Sequence, residues 1–263
     1  MDFLNSHLLT LILFAPAGAA LILMLLPGAN VRLLRWAAFG LSLIPLALSI
    51  VLWLGYDPAV AGYQFTEQAI WYAAINATFH LGVDGISVPM ILLTTLLTPL
   101  AILISFNIEK NVRGYMALFL LLETGMLGVF MALDLFLFFV FWEIGLVPMY
   151  FLINQWGSEK GERTYGRGKV MSARTYASYK FLIYTMAGSL GLLLAIQMIG
   201  TAAGTFDLVT ITQTFPLLRE PLTVYGLPIT LPIATVKAIA FWAFVIAFAI
   251  KVPVWPFHTW LPD

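Results

Sequence analysis

The sequence predicts an all-α protein that crosses a membrane several times. Of its 263 residues, 61% are hydrophobic and only 10% are charged, whereas soluble domains average about a quarter charged residues. Several apolar runs reach the roughly 20 residues that a helix needs to cross a bilayer. Two of these runs carry an acidic residue near their middle. We therefore expect a polytopic helix bundle with ionisable groups inside it.

The first part of the chain predicts three spans. The first span lacks the basic flank of a cleaved signal, so we expect it to be retained. Residues 55–84 are mixed in polarity, and their alternation around His80 predicts a strand or hairpin at the membrane surface, with His80 as an interfacial residue. Asp84 precedes the third span and is expected to cap it. The three spans are expected at about residues 8–26, 33–54 and 86–106.

Residues 114–156 predict a helical hairpin whose arms are the fourth and fifth spans, joined near Asp134. Each arm carries one acid, Glu123 or Glu143, about ten residues from the joint. At 1.5 Å of rise per residue, both carboxyls lie ~15 Å from the same end, near the middle of a ~30 Å hydrocarbon core. A charge there costs at least ~2.5–3.5 kcal/mol, so such a residue is usually functional. A structural hydrogen bond is the alternative for Glu143, and both interpretations stay open for Glu123.

The last apolar stretch, residues 233–261, predicts a discontinuous seventh helix. Thirteen residues separate Lys237 from Lys251, which gives ~20 Å of helix and is too short to cross alone. A crossing that continues to residue 261 has Lys251 inside it, followed by two prolines that release backbone carbonyls. Charged residues at such breaks mark ion sites in transporters. Alternatively, Lys251 ends a helix and extends to the membrane surface, and His258 stays open between a proton relay and an interfacial role.

Glu143 lies beside a proline as well. Pro148 leaves the carbonyl of Ile144 without its helical donor, which predicts a local kink next to the acid. In a buried Glu–Lys pair, desolvation and mutual attraction oppose each other, so an added proton or charge separates the pair. Glu143 and Lys251 therefore predict a proton relay rather than catalysis on a substrate.

Residues 157–176 form the only charge-rich segment and hold five of the chain's 13 basic residues. A sixth span is expected at about residues 177–200, with Lys180 in its first turn. Loops after the first, third and fifth spans hold nine basic residues, whereas the opposite loops hold Arg219 alone. The positive-inside rule then places the N-terminus outside and the loop 157–176 in the cytoplasm.

The composition excludes several function classes. The chain has no cysteine and only three histidines, so cysteine-ligated iron–sulfur clusters are excluded within it, and histidine pairs for haem are missing. Its formal net charge of zero argues against a nucleic-acid partner. No nucleophile–base set, phosphate loop or metal cluster is found in the sequence. In a redox complex, the electrons would therefore travel through other subunits.

Four motifs carry a resemblance to a known family: LGVDGIS from Leu81, WEIGLVPMY from Trp142, YKFLIYT from Tyr179 and KVPVWPFHTWLPD from Lys251. They resemble the antiporter-like membrane subunits of NADH–quinone oxidoreductase, respiratory complex I, and within them the subunit M (chain 4) family. The likeness runs from about residue 81 to the end of the chain. It implies an antiporter-like bundle, of which this chain is the N-terminal half of about 14 helices arranged as inverted repeats. Residues 1–113 then hold three N-terminal helices with an external loop at 55–84, and residues 114–263 hold an incomplete first repeat.

The resemblance also implies roles for residues. Glu143 and Lys251 match the family's fifth-helix glutamate and seventh-helix lysine, which relay protons; Glu123, Lys180 and His258 are weaker candidates. The chain would belong to an enzyme complex without carrying a redox centre, while NADH, FMN, iron–sulfur clusters and quinone are expected in partner subunits. Expected partners are the lipid bilayer and other membrane subunits, including sister antiporter-like subunits, so a stand-alone monomer is not expected. The expected location is the bacterial plasma (inner) membrane.

Two other functions stay open. One is a subunit of a multi-subunit Na⁺/H⁺ antiporter or a membrane-bound hydrogenase, with the same relay. The other is a non-pumping structural subunit whose acids only join helices by hydrogen bonds. The structural alternative predicts that Glu143→Gln is harmless, because glutamine still forms hydrogen bonds.

Overall fold

The computed structural model describes residues 6–158, 160–165, 168–223 and 230–262, most of which are helical. Within these residues, seven helical segments are long and apolar enough to cross a membrane. Their number and order agree with the seven predicted spans. The segments are Leu8–Leu25, Val31–Gly55, Ser87–Asn107, Val112–Met131, Leu135–Trp156, Ala173–Ala203 and Ile233–Lys251.

The helices are numbered in chain order: α1 (Leu8–Leu25), α2 (Val31–Gly55), α3 (Ser87–Ile104), α4 (Val112–Met131), α5 (Leu135–Ile144), α6 (Leu146–Trp156), α7 (Ala173–Ala203), α8 (Leu208–Thr214) and α9 (Ile233–Lys251). The strands form three two-stranded sheets, β1–β2 (Gln64–Tyr72 and Ala77–Val83), β3–β4 (Glu162–Tyr165 and Lys169–Ser172) and β5–β6 (Leu222–Thr223 and Thr230–Leu231). Contacts between Cα atoms divide the chain into two units.

The first unit comprises Met1–Ala69, Phe79–Leu133 and Leu137–Leu152. In it, α1 packs against α2 and α4, and α3 packs against the same two helices. One buried aliphatic cluster includes Ile12, near the start of α1, and another includes Leu23, near its end. These clusters hold the apolar spans together and surround the buried polar residues described below.

A β-hairpin lies between the second and third spans, as the alternation around His80 predicts. His80 is itself buried, and its backbone carbonyl accepts a hydrogen bond of 2.8 Å from the amide of Leu133. The buried carboxylate of Glu67, on β1, accepts hydrogen bonds from the amides of Leu9 at 2.7 Å and Thr10 at 3.3 Å. It also accepts one from the Thr10 hydroxyl. Glu67 thereby caps the first turn of α1, where a negative charge is stabilising.

Asp84 caps the third span, as predicted. Its Oδ1 accepts hydrogen bonds from the amides of Ile86 at 3.0 Å and Ser87 at 2.8 Å, and from the Ser87 hydroxyl at 2.9 Å. Burial raises the pKa of Asp84, but the hydrogen bonds from Ser87 and Ile86 outweigh it, so the pKa lies below its ordinary value. The ionised form is therefore the one that the folded protein stabilises.

The second unit comprises Ile70–Thr78, Asp134–Phe136 and Ile153–Asp263. Its main contact is between α7 and α9. Gly188 of α7 permits the close approach, because a Cβ there would lie 3.0 Å from the Cδ1 of Ile250. Asp134, at the predicted joint of the helical hairpin, accepts hydrogen bonds of 2.8 Å from the amides of Thr78 and Phe136.

The charge-rich loop contains the antiparallel pair β3–β4, in which Glu162 faces Ser172 and Tyr165 faces Lys169. Residues 159, 166 and 167 of this loop lie outside the described residues, as do residues 1–5, whose side of the membrane was predicted.

We expect Asp84→Ala to lower the free energy of unfolding at pH 7 by about 1 kcal/mol, the usual value of a helix cap. Because the folded pKa is depressed, this contribution is complete above the unfolded pKa of about 3.9 and is lost as pH falls through the folded pKa. Thermal unfolding in detergent at several pH values measures it. Glu109→Ala, at an exposed acid, is the control, and a difference between Asp84→Ala and wild type that is independent of pH would contradict the cap.

Candidate functional site

Glu123 lies on α4 and is completely buried, with 0% of its surface exposed. Neither of its carboxyl oxygens receives a hydrogen bond from any residue that the structure describes. The side chain of Thr98 lies beside it, but the Thr98 hydroxyl donates to the carbonyl of Thr94 at 3.0 Å. Since buried polar groups are nearly always hydrogen-bonded, an unpartnered acid of this kind indicates a bound proton, water or a catalytic role.

Glu143 is the second-last residue of α5, at a break in the fifth span. α5 ends at Ile144, and α6 begins at Leu146 after a turn at Gly145. This interruption is the predicted kink, since Pro148 provides no donor for the carbonyl of Ile144. The Oε1 of Glu143 is buried, and among the described residues it has no hydrogen-bond partner. The break therefore places an acid next to backbone that is not held in a regular helix.

Two glycines bring the helices of the two acids into backbone contact. A Cβ on Gly125 would lie 2.9 Å from the backbone nitrogen of Gly145 and 3.1 Å from its Cα. Gly125 and Gly145 each follow an acid by two residues. Glu123 and Glu143 are therefore at about the same level of the first unit, as their equal distances from the hairpin joint predict.

The structure corrects the account of the seventh span. α9 begins at Ile233, four residues before Lys237, so it has 19 residues and is long enough to cross by itself. Lys251 is half-buried and is the last residue of α9. The predicted release of the Ala249 carbonyl by Pro253 is offset by the chain itself, because the amide of Val254 donates to it at 2.8 Å.

The segment after α9 folds back onto the second unit. The indole Nε1 of Trp260 donates to the carbonyl of Ile250 at 2.8 Å, and the Thr259 hydroxyl donates to the Tyr184 hydroxyl at 2.8 Å. The Trp260 ring also contacts the Phe181 ring edge-on, at 5.4 Å between centroids. A 3₁₀ turn at Phe257–Trp260 is thus docked on α7.

The other two candidates, His258 and Lys180, also lie in the second unit. The Nδ1 of His258 is buried and has no hydrogen-bond partner among the described residues. Lys180 is in the third turn of α7 rather than the first, because α7 begins at Ala173. Its Nζ lies 5.8 Å from the centroid of the Tyr176 ring, within the range of a cation–π interaction.

Glu123 and Glu143 thus both lie in the first unit, whereas Lys180, Lys251 and His258 lie in the second. The pairing of Glu143 with Lys251 stays a prediction. Within the described residues there is no group of three or more His, Cys, Asp or Glu side chains that would hold a metal ion.

Seven apolar spans with buried acids among them define a multi-pass α-helical membrane protein. The family model described as "NADH:quinone oxidoreductase/Mrp antiporter, TM" matches residues 132–263. The chain belongs to this family.

Relatives and solved structures agree with this assignment. NADH-quinone oxidoreductase subunit M from Rhodobacter capsulatus is 39% identical over 264 residues, which cover 98% of this chain and 48% of the relative. The chain therefore spans about half the length of this relative. Respiratory complex I from Thermus thermophilus matches with a TM-score of 0.74 and 26% identity, over 97% of this chain and 46% of that one. The Mrp complex from Dietzia sp. shares the fold, with a TM-score of 0.73 and 23% identity over 97% of this chain and 25% of that one.

We expect Gly125→Ala to lower the free energy of unfolding and Gly145→Ala to leave it nearly unchanged. The new methyl at residue 125 meets backbone at 2.9 Å, whereas at residue 145 the nearest atom is the Cδ1 of Leu122 at 3.5 Å. Overpacking of this kind typically costs about 1–3 kcal/mol. Thermal unfolding of both variants in detergent measures the difference, and equal stability would show that the backbone contact is unimportant.

We also expect Trp260→Phe to lower the free energy of unfolding by about 1 kcal/mol, because it leaves the carbonyl of Ile250 without its donor but keeps an aromatic ring. Trp255→Phe is the matched control, since the Trp255 side chain is 79% exposed. Chemical or thermal unfolding compares the two, and an equal effect of both changes would contradict the role of the indole N–H.

Proposed function

We propose that this chain forms part of a membrane subunit of an NADH–quinone oxidoreductase that translocates protons across the membrane. The proposal rests on the family of the chain and on one observation: Glu143 lies at a helix break with one buried oxygen unpartnered by any described residue. A carboxyl group in such a position exchanges protons with water or with a neighbouring base.

We propose Glu143 and Lys251 as the relay pair. Glu143 accepts and releases the proton, and the ammonium group of Lys251 changes the electrostatic cost of doing so. Lys251 ends α9, where the partial negative charge of the helix C-terminus stabilises a cation. Glu123 is a further proton carrier at the level of Glu143, while Lys180 and His258 are weaker candidates. The interruption after Lys251 is part of this proposal, as a discontinuity in the seventh helix.

The chemistry of the redox partners lies outside this chain in the proposal. NADH, FMN, iron–sulfur clusters and quinone are bound by other subunits, and energy released at quinone changes the relay through neighbouring membrane subunits, including sister antiporter-like subunits. The chain is a subunit of the enzyme, residing in a bacterial plasma membrane with its N-terminus outside and the loop 157–176 in the cytoplasm. Residues 1–113 serve as an N-terminal helical part with the external loop 55–84, and residues 114–263 belong to the first inverted repeat.

We expect Glu143→Gln to reduce NADH-driven proton pumping at least about tenfold in the assembled complex, because glutamine keeps the hydrogen-bonding capacity but carries no exchangeable acid proton. Pumping is measured with a pH-sensitive dye in membrane vesicles, after a native gel has shown normal assembly. Glu109→Gln, at an exposed acid, is the matched control. Normal pumping by Glu143→Gln would favour a structural subunit without a relay.

The family description also names the Mrp antiporter, so a subunit of a multi-subunit Na⁺/H⁺ antiporter is the second candidate. The same vesicles distinguish the two functions. Pumping that requires NADH and quinone, and is independent of Na⁺, supports the oxidoreductase. Proton movement that is driven by a Na⁺ gradient without NADH supports the antiporter.

A further inference from the structure

Buried hydroxyl groups form a polar line within the apolar core of the first unit. Ser49 of α2 and Thr95 of α3 are 1% and 0% exposed, and their hydroxyl oxygens lie 2.7 Å apart. Thr98, one turn further along α3, is 3% exposed and lies beside the carboxyl of Glu123. The line therefore leads from a hydrogen-bonded hydroxyl pair to the unpartnered acid.

A cavity lies at the end of the unit where α2 ends and α3 begins. Its volume is about 380 Å³, and the lining residues are Trp53, Tyr56, Pro58, Gly85, Val88 and Pro89. One turn deeper, between the cavity and the Ser49–Thr95 pair, lie Leu52 of α2 and Ile91 of α3, both 0% exposed. The order from the surface inward is thus the cavity, two aliphatic side chains, the hydroxyl pair, Thr98 and Glu123.

We propose that this line is a proton access route between Glu123 and the end of the unit that carries the cavity. The inference deepens the proposed function and rests on it, because it assigns an entry or exit path to the same proton translocation. The distribution of basic residues predicts that this end faces away from the cytoplasm. In the conformation described here, Leu52 and Ile91 close the route, and it conducts when they separate far enough to admit water.

The chemistry of the line suits a proton and a few water molecules. A hydroxyl group both donates and accepts hydrogen bonds. The hydroxyls of Ser49, Thr95 and Thr98 each donate to a carbonyl of their own helix, at 2.8, 3.1 and 3.0 Å, so each accepts from a water as it stands and donates to one after it rotates away from that carbonyl. An ordered water inside a protein needs two to four polar partners. Ser49 and Thr95 provide two hydroxyls at one level, and Thr98 provides another one turn further along α3. Glu123, whose two oxygens are buried and have no partner in the part of the chain that the structure describes, is the acceptor at the inner end.

The alternative is that these hydroxyls only join helices, as small polar residues commonly do in membrane proteins. Water access separates the two interpretations. A helix-joining pair stays dry, whereas a proton route is hydrated at least part of the time. A thiol introduced into the line reports hydration, because its reactive form is the thiolate, which needs water around it.

The chain has no cysteine of its own, so one engineered thiol is unique within this subunit. We would label Thr98→Cys and Ile102→Cys in the assembled complex in sealed vesicles, using a membrane-impermeant methanethiosulfonate from each side, and read the label on the separated subunit. Ile102 is the matched control, since it is 0% exposed and lies one turn further along α3. We expect Thr98→Cys to react at least about tenfold faster than Ile102→Cys, and from one side only. Equal rates would overturn the route, and Ser49→Cys replaces Thr98→Cys if the latter fails to assemble.

A second measurement tests conduction. Thr98→Val removes the hydroxyl of the line, whereas Thr94→Val removes a half-buried hydroxyl on the same helix that donates to the carbonyl of Met90. We expect Thr98→Val and Glu123→Gln each to lower NADH-driven pumping by about fivefold or more, and Thr94→Val to leave it unchanged. If Glu143→Gln abolishes pumping while Thr98→Val and Glu123→Gln pump normally, the proposed function stands and the route is wrong. If Glu143→Gln also pumps normally, the proposed function itself fails.

Discussion

A helix that breaks inside a membrane has to find new partners for the backbone groups that it releases, because lipid offers none. Within the described residues, the interruption at Gly145 and the end of α9 meet this constraint in different ways. After α9, the chain folds back and supplies its own donors, the amide of Val254 and the indole of Trp260. At Gly145, the break instead lies beside Glu143, whose Oε1 is unpartnered among the described residues. The end of α9 is therefore closed by the chain itself, whereas the interruption at Gly145 leaves a buried carboxyl oxygen without a partner among the described residues.

The positions and surroundings of the two acids are determined by small and hydroxylated residues. Gly125 and Gly145 let two backbones touch, which fixes the acids at one level and leaves no room between the helices for a larger side chain. Glu123 has a threonine hydroxyl beside it, but that hydroxyl is already used by a backbone carbonyl. Three carboxyl oxygens of the two acids are therefore buried without a partner among the described residues, an arrangement that is costly in a purely structural helix pair.

Much of the fold follows from patterns that are local in the sequence. Apolar length predicts the spans, Asp84 three residues before Ser87 predicts a cap, and Pro148 predicts a break. Two features could not be predicted because each depends on a partner far away in the sequence, namely the Glu67 cap and the Ser49–Thr95 hydrogen bond. Glu67 looks like a surface acid until α1 is placed against it. Two other errors are local: the prediction that the seventh span is too short counts its crossing from Lys237 rather than from Ile233, and Lys180 is not in the first turn because residues 173–176 extend α7 at its start. The hydrogen bond between Ser49 and Thr95 cannot be predicted until α2 is known to pack against α3.

The cap on α1 has a consequence for the order in which the protein is built. Glu67 comes 58 residues after Leu9, whose amide it binds. During synthesis, α1 and α2 are both complete before β1 is made. The amides in the first turn of α1 therefore lack their carboxylate acceptor until then. Only when the segment 55–84 has formed its hairpin does the first helix obtain its negatively charged cap. The hairpin therefore joins the first helix to a later part of the chain, and this contact forms only after both have reached the same side of the membrane.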